Sequence, residues 1–279
     1  MRCVITKDLR EYAERVLPWL HAEPVGNNVA CTVIGQRLEG MAPIEPDAIW
    51  AYVVDPADQL VGAAVRTPPH GLLLSTMPTA AADILADALA AHPPVPYANG
   101  PAAPTERFAT RYSALTGRTT KPGPGSGIYR LEQLVPPEGV SGELRAAGPG
   151  DRDLLVAWAE AFGAEDSFGS PQHMAREIDS RLRRKGLLWL WYDDGQPVTT
   201  AWLSLPAAGV VRISGVYTPP RNRRRGYASG CVAALSRHAL DAGATACMLY
   251  TDLANPTSNG IYRRLGYQRV GESTMWRFE

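Results

Sequence analysis

The chain has 279 residues, 45% of them hydrophobic and 20% charged, with 28 Lys plus Arg against 28 Asp plus Glu. That balance excludes a disordered chain, and the neutral net charge excludes a protein that coats nucleic acid or binds membranes through a basic surface. A long stretch without Asp, Glu, Lys or Arg, Gly195 to Val211, is broken by Pro197 and Pro206 and does not read as a membrane span. The first residues, MRCVITKDLREYAERVL, contain no apolar signal core. Cys3, Cys31, Cys231 and Cys247 lie far apart without paired metal spacing, so the expectation is reduced thiols in a cytoplasm and no metal.

At roughly 150 residues per domain, the length predicts two domains. Helical periodicity marks 7–20 and 28–38, and apolar runs predict strands over 49–54, 60–66 and 72–76. A helix over 80–91, a strand over 95–98, a helix over 105–115 and a strand over 128–134 follow. PGPGSG (122–127) and VPPEG (135–139) bracket that last strand and place a boundary near 135–142. The predicted domains are 1–134 and 143–279.

The second run is clearer. A strand over 143–147 precedes a helix over 151–162, whose apolar positions are Leu154, Leu155, Trp158 and Phe162. A helix over 171–185 follows, with Ser170 as N-cap and Gly186 as stop. Asp194-Gly195 is a strong turn signal between 187–192 and a strand running through Trp202 to Leu205. Trp189 and Trp191 fall on one face of that hairpin; with Trp202, they read as core or inter-domain packing rather than substrate stacking. A strand over 210–218 leads to a helix over 227–242, with Ala228, Val232, Leu235 and Ala239 on one face. A strand over 244–252, a helix over 257–265 ended by Gly266, and a strand over 267–278 complete the order β-α-α-β-β-β-α-β-α-β. The first run follows nearly the same order, which suggests a tandem duplication within an α/β, mixed-sheet fold class.

Chemistry concentrates in GVYTPPRNRRRGYASG, residues 215–230. A strand ends at Thr218, prolines stop it, and a helix begins at Tyr227. The first N–H groups of a helix have no intrahelical partner, and the helix end carries about half a positive charge. Gly226, Ala228 and Gly230 are small, and Arg221, Arg223, Arg224 and Arg225 are cationic. The combination suits a pyrophosphate; the alternative is a solvated basic turn. The pattern is neither a Walker loop nor G-x-G-x-x-G. A second stretch, residues 249–272, holds Asn255 before a proline, Thr257 or Ser258 as helix cap, and Tyr262 one step off the inward Ile261 and Leu265.

Taken together, these stretches resemble the GNAT superfamily of acyl-CoA-dependent N-acetyltransferases. Arg223-Arg224-Arg225-Gly226-Tyr227-Ala228 is similar to its pyrophosphate loop, Arg/Gln-x-x-Gly-x-Gly/Ala, and Asn255 to Gly266 is similar to its Asn…Tyr-x-x-Leu-Gly-Phe/Tyr motif. The resemblance covers about half the chain. The 1–134 run is GNAT-like by element order, but TAAADILADAL after GLLLSTMP has no Arg or Gly for a pyrophosphate. The layout thus resembles two tandem GNAT-like acyl-CoA N-acyltransferase domains, the first degenerate.

The resemblance implies acetyl-CoA as co-substrate and a small-molecule or peptide amine as acceptor. It implies that the backbone of Val216, Tyr217 and Thr218 bonds the pantetheine arm and offers an N–H to the thioester oxygen. Arg223, Arg224, Arg225, Gly226, Tyr227, Ala228 and Ser229 would hold the pyrophosphate, with Asn255 and Ser258 nearby. Tyr262 would bind the cofactor and protonate the departing thiolate, since a phenol of pKa near 10 can serve a thiolate whose acid lies near 8.5; the bland alternative is a core aromatic. Glu160, Glu165, Asp166 and His173 are candidate general bases, each as readily a solvated surface group. A non-catalytic acyl-CoA-binding or sensing module is the rival reading, and a scaffold without either activity is a third. The acceptor, the acyl-chain preference and the oligomeric state are not legible.

Overall fold

The computed structural model describes residues 1–166 and 171–279, and side chains other than those of 164–173. Ser170, Glu165, Asp166 and His173, singled out above for their side chains, therefore lie outside what is described. The chain divides into two compact units. The first comprises Met1–Ile128, Tyr250–Pro256 and Arg269–Glu279; the second comprises Tyr129–Leu249 and Thr257–Gln268.

The first run contains β1 (Arg2–Thr6), α1 (Leu9–Leu20), α2 (Asn28–Leu38), β2 (Ile49–Val54), β3 (Leu60–Arg66) and β4 (Leu72–Leu74). It continues with α3 (Thr79–Leu89), β5 (Tyr97–Pro101), α4 (Ala102–Thr116), β6 (Thr120–Pro122) and β7 (Ser126–Leu131). α1 starts two residues later than periodicity suggests because Asp8 is its N-cap, accepting from Arg10 N at 2.8 Å and Glu11 N at 3.2 Å. The strand expected over 95–98 forms at Tyr97–Pro101 instead; Pro93, Pro94 and Pro96 deny its predicted start the ladder donors a strand needs. α4 begins at Ala102 rather than at 105, since Pro104 is tolerated in a first helical turn. β1 and β6 were not anticipated. β1 pairs antiparallel with β2, from Arg2↔Val54 to Thr6↔Trp50.

The second run contains β8 (Glu143–Ala146), α5 (Arg152–Asp166), α6 (Pro171–Leu182), β9 (Leu188–Asp193), β10 (Gln196–Leu203) and β11 (Val210–Tyr217). α7 (Tyr227–Asp241), β12 (Ala246–Asp252), α8 (Pro256–Arg264) and β13 (Tyr267–Phe278) follow. With β1 in place, both runs start with the same series, β-α-α-β-β-β-α-β-α. α6 ends at Leu182, not at 185, with a turn from Arg184 N to Arg181 O at 3.1 Å before Gly186.

In the first unit the strand order is β1-β2-β3-β4-β5-β13, with β6 also on β13. In the second it is β7-β12-β11-β10-β9-β8. Each run thus sends its last strand to the other unit: Tyr129 onward in β7 belongs to the second, Arg269 onward in β13 to the first. Within the first unit β13 runs antiparallel to β5, with Thr274 opposite Gly100 and Trp276 opposite Ala98.

Strand alternation builds the core of the second unit. On β9, Trp189 and Trp191 join the cluster containing Cys231, Val232 and Leu235 of α7, while Leu188 and Leu190 join Leu155 and Trp158 of α5 and Ile178 of α6. The tryptophans read as packing residues are buried here, Trp202 on the α5–α6 face. On α7 the inward row is Tyr227, Cys231, Val232, Leu235 and Ala239; Ala228, expected in that row, is half-buried. All four cysteines are free thiols. No helix among the described residues is long and apolar enough to cross a membrane.

Candidate functional site

The candidate anion site predicted from the sequence falls on the loop between β11 and α7 of the second unit. β11 pairs in parallel with β12 over four rungs, Val210↔Ala246 to Ile213↔Leu249. On its other edge it pairs with β10 at Trp202↔Ser214 and Thr200↔Tyr217. Two residue steps on β10 face three on β11, so β11 carries a bulge at Gly215–Val216. A bulge leaves one residue outside the ladder and re-aims the backbone. Gly215 has φ +56, and a Cβ there would lie 2.3 Å from the Trp202 ring, so only glycine fits.

Beyond Tyr217 the chain passes through a single turn, Pro220–Asn222, into α7. Arg224 (φ +63) and Gly226 (φ +82) both take the left-handed conformation. Gly226 is the N-cap of α7, and no side chain caps that helix. The first helical bond is Gly230 N to Gly226 O at 3.0 Å. The N–H groups of Tyr227, Ala228 and Ser229 lie ahead of it, at the positive end of the helix dipole.

The arginines divide by role. Arg223 folds back: its Nε donates to Thr218 O at 2.8 Å and its guanidinium lies 5.8 Å from the Tyr217 ring centre. Arg221, Arg224 and Arg225 are exposed. Thr218 Oγ1 is 2.9 Å from Thr199 Oγ1, and Tyr217 packs at 6.3 Å against both Trp158 and Phe162. The smallness of Gly230 is used by packing, not by an open approach. A Cβ there would meet Val140 Cγ1 at 3.0 Å and Trp191 Cζ2 at 3.1 Å.

Tyr227 is buried at 5% exposure, and its hydroxyl donates to Asp193 Oδ2 at 2.5 Å. That bond, the nearby Ser141 side chain and the charge of Arg225 hold the Asp193 carboxyl below the usual carboxylate range. Tyr262 is buried in the same cluster as Tyr227, its ring edge-on to Tyr267 at 6.1 Å. Ser258 is half-buried in α8. Asn255 is exposed, its N–H bonded to Asp252 O at 3.0 Å, and it belongs to the Tyr250–Pro256 segment of the first unit. Glu160 is exposed.

Two polar residues went unread in the sequence. Asn259 is 6% exposed and accepts from Tyr129 Oη at 2.9 Å. It stands one helical turn before Tyr262, which is the signal that could have flagged it. Asp193 looked like a turn residue only. Among the described residues no group of three His, Cys, Asp or Glu could hold a metal.

Parallel strands whose pairing stops after four rungs, a bulge beyond it and a helix start without a side-chain cap define an α/β protein with an open strand edge beside a helix N-terminus. Residues 154–267, most of them in the second unit, match the acetyltransferase (GNAT) family. The fold of the whole chain is that of solved GNAT structures. An acetyltransferase from the GNAT family of Colwellia psychrerythraea covers 100% of this chain and 100% of its own, at 14% identity and a TM-score of 0.63. A GCN5-related N-acetyltransferase from Sphaerobacter thermophilus covers 99% of this chain and 95% of its own, at 16% identity and a TM-score of 0.60. A mycothiol acetyltransferase of Paenarthrobacter aurescens (strain TC1) is 29% identical over 152 residues, 50% of this chain. The chain spans about half the length of that relative, 46%.

Proposed function

We propose that this protein transfers an acetyl group from acetyl-CoA to a primary amine, with residues 143–279 as the acetyltransferase domain and 1–134 as a degenerate partner without a pyrophosphate loop. The observation that carries the reading is the uncapped start of α7, where Arg224 and Gly226 bend the backbone toward the helix N-terminus. The residues fit a diphosphate: successive helix N–H groups supply donors, and Arg224 and Arg225 supply charge. The N–H groups of Val216 to Thr218, at and just past the bulge, bond the pantetheine arm and face the thioester oxygen as charge develops. Holding both reactants in one cleft makes the step effectively unimolecular.

The amine nitrogen attacks the thioester carbon, the C–S bond breaks, and the thiolate takes the Tyr262 proton. The amine proton leaves to water or to a carboxylate. In the first unit, the segment entering α3 buries Met77 at 6% exposure and supplies no arginine, which supports a single acetyl-CoA site per chain. The rival sensing role keeps the ligand and lacks the transfer.

The test is thiol release from acetyl-CoA against a panel of polyamines, peptides and amino sugars. The panel includes small thiol-bearing amines, because one relative is named a mycothiol acetyltransferase. Release above hydrolysis with one acceptor class supports transfer; tight CoA binding with no release above hydrolysis overturns it in favour of sensing.

A further inference from the structure

Several groups outside the arginine loop converge on the first turn of α7, all within the second unit. The Tyr227 hydroxyl donates to Asp193 Oδ2 at 2.5 Å, and the Ser141 side chain lies near the same carboxylate. Ser141 is fixed in turn, because Trp191 Nε1 donates to its carbonyl at 3.0 Å. Its neighbour Gly142 has φ +108, and a Cβ there would lie 2.5 Å from that same Nε1. The side chain of Val140 fills the space beside Gly226 and Gly230, 2.8 and 3.0 Å from where their Cβ atoms would stand. The segment between β7 and β8, read in the sequence as a linker, is therefore built into the underside of the loop.

A carboxylate next to an anion site opposes the ligand by its charge alone. Asp193 closes β9 at the hairpin turn, where a neutral residue would serve the turn equally well. What the carboxylate does instead is tie the end of β9 to Tyr227, 34 positions on, with the Ser141 side chain beside it. We infer that Asp193 is a positioning residue for the diphosphate-binding loop. It anchors the first turn of α7 to the end of β9, so the N–H groups of Tyr227, Ala228 and Ser229 are held in place before the ligand arrives. Ordering a loop in advance removes that cost from binding. The inference rests on the acyl-CoA reading above, and it makes Asp193, Ser141 and Val140 part of cofactor affinity without contact to the cofactor.

The experiment is calorimetric titration of the full chain with CoA, alongside thermal unfolding. Asp193→Ala weakens CoA by about tenfold, and Asp193→Asn, which keeps an acceptor oxygen, stays within about threefold of the parent. Tyr227→Phe matches Asp193→Ala, and the double variant binds no worse than either single one, because both break the same link. Unchanged or tighter CoA binding by Asp193→Ala overturns the inference, as does additive loss in the double variant. A lowered melting temperature with unaltered affinity also overturns it. If the parent protein itself fails to bind CoA, the acyl-CoA reading falls; if the parent binds and the variants are indifferent, only the anchor falls.

Discussion

Tyr262 shows how little a single side chain reveals before its neighbours are known. Spacing placed it one step off an apolar face, equally consistent with a core aromatic and with a proton donor. In the structure it is 9% exposed and stacked edge-on to Tyr267 in the α7 cluster. It is therefore a core aromatic by packing, and the donor role is the added proposal. Tyr262→Phe keeps the packing and removes the proton. Turnover is expected to fall by about 10- to 100-fold, with CoA affinity within about twofold; stopped-flow thiol release and titration separate the two quantities. Gly226 is a second case. Its smallness reads in sequence as room for a ligand. The structure gives a different reason: a left-handed φ of +82, with Val140 Cγ2 2.8 Å from the position of a Cβ. Gly226→Ala is expected to cost about 1–2 kcal/mol in the left-handed conformation and to weaken CoA. Val140→Ala in the same chain should restore part of the affinity by making room. Thermal unfolding and CoA titration of the single and double variants check this.

Elements were legible in proportion to how fully periodicity and end signals agreed. α7 was predicted over 227–242 and runs Tyr227–Asp241, because an arginine-glycine loop precedes it and Gly243 follows. β2 and β3 match their predicted bounds because each is a short apolar run between polar turns. β1 and β6 escaped notice. β6 is three residues long and β1 five, and such segments are strands only because a partner strand supplies the ladder. The bulge in β11 was equally invisible, since it depends on register against β10 and not on residue type, although Gly215 marks the spot. The candidate site reads in sequence as a motif, Arg-x-x-Gly-x-Ala before a helix, but the packing beneath it does not. Val140, Ser141 and Asp193 are brought to α7 by tertiary packing that no local pattern encodes. At this scale the account predicts that Leu235→Ala, at a fully buried position on the inward row of α7, costs about 2–5 kcal/mol. Chemical denaturation with an unchanged m-value checks it. Loss below about 1 kcal/mol would mean α7 is not the central helix of that core.

At the scale of the whole molecule, the element order was readable as a duplication, and it repeats in the two runs once β1 is included. The exchange of final strands was not readable. β7 and β13 look like ordinary last strands, and nothing in an apolar run states which sheet it will join. The two units differ where the chemistry differs. The second enters its crossover helix through Arg223-Arg224-Arg225-Gly226, the first through Ser75-Thr76-Met77-Pro78, with Met77 in the core of that unit. The proposal is one ligand site per chain, at α7 and not at α3. Hydrogen exchange read by mass spectrometry, with and without saturating CoA, is the most direct test. The account predicts slowed exchange in peptides covering 214–231 and no change in peptides covering 72–90. Unchanged exchange across 214–231 under saturating CoA, or protection confined to 72–90, would contradict it.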